Sequence, residues 1–328
     1  MTSSSGRSLR DRHTRHSRQS PPQAPAIHSS ALWSRLVLAA LAGTLALVAV
    51  ACGTDEAGDD PPALVIGGIP DQDVAVLEER FEGIADYLSE EVGIPMRYQP
   101  SVDYTAVVTA FANGDLLLGW FGGLTGVQAR LETPGAHAVA QRPIDEEFHS
   151  VFIAGADVDA DSLADLAGTA FTFGSESSTS GHLMPRAFLT EAGVDPEADF
   201  DGPPSYAGSH DQTWKLVEAG TFQAGVLNES VWQRAVEEGQ VDTDRVRVVE
   251  RTPPYVDYHW VAHPDIDEVY GAGTTEQIVD ALLAMDEGGP EAQDILELFE
   301  DTAFIATDDD NYATIEQVAR DLELIGSP

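Results

Sequence analysis

The chain has 328 residues, and its 56 acidic and 17 basic residues give a formal net charge of −39. Binding to nucleic acids requires a basic surface that displaces counterions from phosphates, so this composition argues against that class of partner. The hydrophobic fraction of 43% is too high for a wholly disordered chain, and the length is typical of about two domains.

The first 51 residues differ from the rest in charge. They hold six arginines and one acidic residue, for a charge of +5, whereas the remaining 11 basic and 55 acidic residues give −44. The arginine-rich part leads into 16 predominantly apolar residues, 36–51, fewer than the roughly 20 needed to span a bilayer. A basic stretch before a short apolar stretch is typical of a secretory signal. An uncleaved membrane anchor is the alternative, and both place the folded part outside the cytoplasm.

Cys52 is the only cysteine, so it can form no internal disulfide. The small residue Ala51 precedes it, as in a bacterial lipobox, although Ala49 replaces the leucine that a lipobox prefers. We expect a lipoprotein signal peptide over residues 1–51 and an acidic linker, residues 52–62, after a lipidated Cys52. Two acyl chains suffice for stable anchoring, so the expected location is the extracytoplasmic face of the cell membrane.

From residue 63 onward, short apolar stretches alternate with helical periodicity. In the first helix, apolar residues from Val74 to Val92 recur at gaps of three or four, and the pattern ends at Gly93. This alternation predicts an α/β fold with parallel sheets and helices on both faces. The predicted strands lie at 63–68, 96–100, 116–121, 137–141, 150–156, 170–173, 223–227, 246–250 and 260–263, and helices lie between most of them and in three stretches near the C-terminus.

The alternation begins a second time after residues 150–156, and the chain crosses back near 251–258. We therefore expect two lobes with a cleft at the two crossings. Clefts between domains are preferred sites for small ligands. Lobe 1 is predicted to comprise residues 63–152 plus 256–328, and lobe 2 residues 153–255.

Three segments, 120–125, 174–182 and 208–213, place small polar residues between a predicted strand and a predicted helix. Such turns lie at the carboxyl ends of parallel strands, where open α/β folds bind ligands. The free N–H groups at the start of a helix favour an anion. The middle segment offers four consecutive hydroxyls, Ser177 to Ser180, where a helix cap needs one. We therefore predict a small oxyanion held mainly by uncharged donors.

Several segments carry a resemblance to a known family, the phosphate/phosphite/phosphonate substrate-binding proteins of ABC importers. They are IGGIP at 66–70, the DY pair at 103–104, FGSESSTSGHLMPR at 173–186, GSHD at 208–211 and NESVW at 228–232. A second set, at 119–130, 252–260 and 311–320, resembles the subgroup described as selenate-binding. The resemblance runs from about residue 64 to the end of the chain.

The resemblance implies a two-lobed, type II periplasmic-binding-protein-like fold that closes on a tetrahedral oxyanion and delivers it to a membrane permease. It implies a monomer without catalytic residues, metal or cofactor. Asp257 falls near an acidic position that meets an amino group or O–H group of the ligand. The other implied ligand residues are Tyr104, Ser178, Thr179, Ser180 and His210, and the secondary ones are Gly122, Gly123, Ser177 and Tyr258.

Two other functions remain open at this point. A secreted hydrolase would use Ser180 and His210, but Asp211 is adjacent to His210 and the chain has no G-x-S-x-G motif. A metal-binding lipoprotein would draw on several histidines, but no CxxC spacing supports it because the chain has a single cysteine. These histidines are His182, His210, His259 and His263. We also expect Tyr255 and His259 to line the cleft.

Overall fold

A computed structural model of the chain describes residues 61–326. The predicted signal peptide, the predicted lipidation site at Cys52 and most of the predicted linker lie outside these residues. Within residues 61–326, no helix combines the length and the apolar character needed to cross a membrane.

The described residues form eleven strands and ten α-helices. In chain order the strands are β1 (Leu64–Gly68), β2 (Met96–Tyr98), β3 (Leu118–Phe121), β4 (His137–Gln141), β5 (Ser150–Gly155), β6 (Phe171–Phe173), β7 (Ser205–Tyr206), β8 (Ala224–Asn228), β9 (Val246–Arg251), β10 (His259–Ala262) and β11 (Ile305–Ala306). The helices are α1 (Val74–Val92), α2 (Tyr104–Ala112), α3 (Gly123–Glu132), α4 (Met184–Glu191), α5 (His210–Glu218), α6 (Glu229–Glu237), α7 (Asp265–Tyr270), α8 (Thr274–Leu283), α9 (Gly289–Leu298) and α10 (Ala313–Asp321).

The first lobe is built on a six-stranded sheet with the order β11-β4-β10-β3-β1-β2. β1 is parallel to β2 and β3, whereas β10 is antiparallel to β3 and β4. Its core contains the Trp260 ring, which lies 5.2 Å from the Trp120 ring and 6.3 Å from the Phe81 ring on α1. Close packing of these large side chains fixes the positions at which β1 and β3 end.

The second lobe is built on a five-stranded sheet with the order β7-β6-β8-β5-β9. β6 is parallel to β7 and β8, whereas β5 is antiparallel to β8 and β9. Two separate apolar clusters cover it, one containing Phe171 and Leu189 of α4 and the other Trp214 of α5 and Leu227. Helices thus pack on both faces, as the alternation predicts.

The prediction of parallel sheets is wrong for β5, β10 and β11. β5 and β10 each follow a crossing between the lobes and so enter their sheet from the edge at which the parallel strands end. They therefore run opposite to their neighbours. β5 also begins at Ser150, three residues before the predicted start of lobe 2. The two-residue strands β7 and β11 were missed because two residues display no periodicity.

The two crossings run side by side. Phe148 and Tyr255 exchange backbone hydrogen bonds of 2.8 and 3.0 Å, and the Thr252 N–H donates to the Ser150 carbonyl at 3.0 Å. This pair of short antiparallel segments forms the hinge between the lobes.

The facing edges of the lobes are also in direct contact. The His210 N–H of lobe 2 donates to the Asp71 carbonyl of lobe 1 at 2.9 Å. Arg234 of α6 donates to Gln72 Oε1 at 2.9 Å and to Glu300 Oε1 at 3.1 Å. The lobes are therefore closed, and this brings the starts of α2, α3, α4 and α5 together.

Candidate functional site

Tyr104 is positioned by the start of α2. The Asp103 side chain caps the helix by accepting the Ala106 N–H at 2.7 Å. Tyr104 is only 2% exposed, and its hydroxyl has no hydrogen-bond partner within residues 61–326. A buried polar group without a partner costs about 1–3 kcal/mol. The burial of this hydroxyl therefore points to a partner other than residues 61–326.

Asp257 lies just before β10 and faces the start of α3. Its Oδ1 accepts the Gly123 N–H at 2.9 Å, and its Oδ2 is buried without a partner among the described residues. The N–H that Gly123 could offer to a ligand is thus used by Asp257. A Cβ atom on Gly122 would lie 3.1 Å from both Asp257 Oδ1 and Thr179 Oγ1. A side chain at position 122 would therefore crowd one group from each lobe.

Residues 174–182, the serine loop, lead into α4 through a π-helical turn, Thr179–Leu183. Ser178 caps this turn, because its Oγ accepts the Gly181 N–H at 2.9 Å. Ser180 Oγ is buried, and no partner for it exists in the described part of the chain. The cap thus consumes one hydroxyl and leaves that of Ser180 free, which agrees with the argument that the serine loop holds more hydroxyls than a cap needs.

Thr179 connects the serine loop to lobe 1. Its Oγ1 accepts the Leu124 N–H of α3 at 2.9 Å. The hydroxyl proton of Thr179 remains available for donation, because a hydroxyl oxygen can accept and donate at the same time. Ser177 is half-buried at the outer end of the same loop.

His210 is the first residue of α5 and is fully buried. Its Nδ1 accepts the Asn228 N–H at 3.3 Å, which assigns the ring proton to Nε2, and Nε2 donates to Tyr258 Oη at 3.2 Å. Burial lowers the pKa of His210 to about 4, so the ring is neutral at neutral pH. The positive end of the α5 dipole also disfavours a charged ring at this position.

Tyr258 extends this network across the lobes. Its hydroxyl donates to Asp71 Oδ2 at 2.8 Å and accepts from Asn228 Nδ2 at 3.3 Å. Asp71 Oδ1 is buried without a partner in residues 61–326. Sequence reasoning missed both Asp71 and Asn228 as site residues. The available signal was their position just after β1 and at the end of β8, at the carboxyl ends of parallel strands.

The structure thus gathers predicted ligand residues from both lobes. Burial raises the pKa of Asp257 to about 7, and the nearby hydroxyls of Thr179 and Ser180 partly oppose the shift. Burial also raises the pKa of Tyr104, with a smaller opposing effect from the Ser178 hydroxyl. The hydroxyls of Thr179 and Ser180 lie near the Asp257 carboxyl group, and that of Ser178 lies near the Tyr104 hydroxyl, but outside standard hydrogen-bond geometry. The arrangement offers donors from Tyr104 and Ser180 and one carboxyl oxygen from Asp257.

Buried arginines paired with carboxylates lie one layer behind these groups. Arg142 binds both carboxylate oxygens of Asp145, at 2.7 and 2.8 Å, and its Cζ lies 5.0 Å from the centre of the Tyr258 ring. Arg80 of α1 is buried and donates to the Leu298 carbonyl at 2.7 Å. The burial of Arg80 was not foreseen, because charged residues of an amphipathic helix normally face water.

The other candidate residues have different surroundings. Ser180 Oγ has no partner and His210 Nε2 is bonded to Tyr258, so the serine–histidine hydrogen bond of a hydrolase is missing from the described residues. No group of three or more histidine, cysteine or acidic side chains within residues 61–326 could hold a metal ion. The prediction that His259 lines the cleft is wrong, because its ring stacks on Tyr312 at 3.7 Å in the core of lobe 1.

Known proteins match this chain over most of its length. The family model for the ABC transporter, phosphonate, periplasmic substrate-binding protein matches residues 66–312. A probable ABC transporter phosphite binding protein, PhnD1 of Prochlorococcus marinus (strain MIT 9301), is 40% identical over 272 residues, which are 81% of this chain and 92% of the relative. The phosphate-import protein PhnD of Mycolicibacterium smegmatis is 27% identical over 229 residues, 65% of this chain and 71% of the relative.

A solved structure is also similar. PhnD1 of Prochlorococcus marinus in complex with methylphosphonate superposes with a TM-score of 0.78 and 41% identity, and the match covers 80% of this chain and 99% of that one. The two-lobed α/β fold predicted from the sequence is therefore confirmed.

Proposed function

The chain belongs to the family of periplasmic substrate-binding proteins of phosphonate ABC transporters, and from that premise we propose its ligand and its mode of binding. The protein is a binding protein and not an enzyme. It captures a small, singly protonated phosphorus oxyanion of the phosphite or methylphosphonate class and delivers it to an ABC permease. The observation that carries this proposal is that Asp257 Oδ2 and the hydroxyls of Tyr104 and Ser180 are buried without hydrogen-bond partners among residues 61–326.

The unpaired groups match the donors and acceptors of such a ligand. The hydroxyls of Tyr104 and Ser180 can donate to ligand oxygens. The ionised carboxylate of Asp257 can only accept, so it requires a ligand that carries an O–H. Phosphorus oxyanions have a second pKa of roughly 6 and retain this proton in part near neutral pH. The methylphosphonate bound by the Prochlorococcus marinus relative supports the same class of ligand.

Selenate is the second candidate, and sulfate has the same chemistry. Neither ion carries a proton at neutral pH, so each would need Asp257 in its protonated form. The pKa of about 7 that burial gives to Asp257 makes this form accessible below neutral pH. A selenate-type ligand should therefore bind with uptake of one proton by the protein.

A comparison of oxyanions tests the proposal. We expect phosphite or methylphosphonate to stabilise the processed protein against heat much more than sulfate or selenate do, because only the phosphorus oxyanions carry an O–H for Asp257. A ligand at 100 times its Kd adds about 2.7 kcal/mol, which corresponds to a rise of roughly 5–10 °C in Tm. Melting temperatures at several ligand concentrations provide the measurement. If no oxyanion raises the melting temperature, the proposed ligand class is ruled out.

We further propose that the protein is held at the membrane by lipid on Cys52. The support is the basic and apolar character of residues 1–51 and the small residue before the cysteine. Cells grown with an alkyne-tagged fatty acid should label the protein, and the Cys52→Ser variant should lose the label and leave the membrane fraction. Equal labelling of both proteins would exclude lipidation at Cys52.

A further inference from the structure

A chain of buried hydrogen bonds connects the hinge to the serine loop. Ser150 Oγ, at the start of β5, lies 2.6 Å from the Ser180 carbonyl oxygen and also contacts the Tyr255 hydroxyl. A carbonyl cannot donate, so the single hydroxyl proton of Ser150 goes to Ser180. The Tyr255 hydroxyl must then donate to Ser150 Oγ. The two hydrogen bonds are therefore donated in the same direction, from Tyr255 to Ser150 and from Ser150 to the Ser180 carbonyl.

Its first two members belong to the two crossings of the hinge. Ser150 is fully buried, and its N–H donates to Thr252 Oγ1 of the opposite crossing at 2.9 Å. Tyr255 is 7% exposed and is held by its backbone hydrogen bonds to Phe148. Any rotation of the lobes changes the backbone torsions of these segments. The contact between Tyr255 and Ser150 therefore lies where a rotation of the lobes would act.

We propose that Ser150 and Tyr255 are positioning residues that couple closure of the lobes to the ligand-binding hydroxyl of Ser180. The inference rests on the proposed function, because it takes Ser180 Oγ as a ligand contact. The Ser150 hydroxyl fixes the carbonyl of Ser180 and so sets the direction of its side chain. When the lobes open, the Tyr255 bond is lost and the serine loop is released. Loss of the ligand and opening of the hinge are then linked steps.

Single variants of the processed protein separate positioning from general stability, with methylphosphonate as the probe. Ser150→Ala leaves the Ser180 carbonyl without its donor, and we expect dissociation roughly tenfold faster, on the scale of one lost hydrogen bond. Tyr255→Phe should accelerate dissociation by about threefold, since Ser150 still reaches Ser180. Thr169→Val is the matched control, because it removes a buried hydroxyl that donates to the Leu166 carbonyl at 2.7 Å and lies before β6, whereas the serine loop follows β6. It should lower Tm and leave the dissociation rate unchanged.

A double-mutant cycle gives the decisive measurement. If Ser150 acts through Ser180, the S150A/S180A variant should bind methylphosphonate about as weakly as S180A alone. Fully additive losses, or equal acceleration by Thr169→Val, would overturn the coupling. If the unmodified protein binds neither methylphosphonate nor phosphite in the same titrations, the proposed function fails. Suppose instead that the unmodified protein binds one of them and that S180A weakens this binding. If the losses of affinity caused by S150A and S180A then add in the double variant, only the coupling fails.

Discussion

Replacing Asp257 with asparagine is expected to change the ligand preference from singly protonated to fully ionised oxyanions. The side-chain amide oxygen can still accept the Gly123 N–H, which now meets Asp257 Oδ1 at 2.9 Å. The amide nitrogen then occupies the unpaired position of Oδ2 and donates to the ligand instead of accepting. A lost or gained hydrogen bond to a charged group is worth about 1.5–3 kcal/mol. The ratio of sulfate to phosphite affinity should therefore rise roughly 10- to 100-fold, as measured by calorimetric titration.

The same substitution should remove a pH dependence. Burial raises the pKa of Asp257 to about 7, and the ligand loses its second proton at roughly pH 6. Above both values the complex must take up one proton, so affinity should fall about tenfold per pH unit. Asp257→Asn has no carboxyl to protonate, and its affinity for sulfate should stay constant from about pH 7 to 9. If affinity changes with pH to the same extent in the unmodified protein and in Asp257→Asn, Asp257 does not have this role.

Thermal unfolding without ligand provides a control for Asp257. The folded protein keeps the Asp257 proton up to about pH 7, whereas the unfolded chain loses it near pH 4. Between these values the folded state binds more protons, so its free energy of unfolding decreases as pH rises. The decrease should be smaller in Asp257→Asn. This comparison reports on the carboxyl group even in the absence of a bound anion.

The Thr179→Val substitution is expected to weaken binding of methylphosphonate by roughly 10- to 100-fold. Thr179 Oγ1 is the acceptor for the Leu124 N–H of the other lobe, at 2.9 Å. Valine has a similar shape but leaves this N–H unpaired in the closed form, at a cost of about 1–3 kcal/mol. It also removes the hydroxyl proton that Thr179 can offer beside Asp257. Both losses act on the closed, ligand-bound state, and calorimetric titration measures their sum.

The Thr179→Ser variant is the matched control, because it retains the hydroxyl and loses only a methyl group. Its affinity should stay within about threefold of the unmodified protein. If valine and serine weaken binding equally, the contribution of Thr179 is packing rather than hydrogen bonding. If valine leaves the titration unchanged, the Thr179 contact does not contribute to ligand binding.

The fold class followed from the sequence because its periodicity is a local property of the chain. The apolar repeat from Val74 to Val92 predicts α1 with its observed bounds, and Gly93 ends it with a φ of 75°. The direction of β5 and β10 is not local, since it depends on which edge of a sheet the chain enters after a crossing. Nothing in the alternation of residues records that choice, and for this reason the parallel arrangement was predicted incorrectly.

The candidate site was predictable where a residue type stood out against its neighbours. Four consecutive hydroxyls in the serine loop exceed what a helix cap requires, and Ser180 Oγ has no hydrogen-bond partner in the part of the chain that the structure describes. Asp71 carries no such mark, because an acidic residue after a strand is also typical of an exposed loop. Its role depends on Tyr258, which is 187 residues away in sequence and donates to it at 2.8 Å. Pairs so distant in sequence become visible only in the folded molecule.

The position of β10 between β3 and β4 bears on the order in which the protein can assemble during synthesis. All strands of the second sheet lie within residues 150–251, so this sheet is complete before residue 259 has been made. The first sheet cannot close until β10 is inserted at its middle, although both of its neighbours, β3 and β4, were made more than 110 residues earlier. A nascent chain thus carries a finished second lobe beside a first lobe with a gap in its centre. Asp257, which directly precedes β10, reaches its place only when that gap is filled.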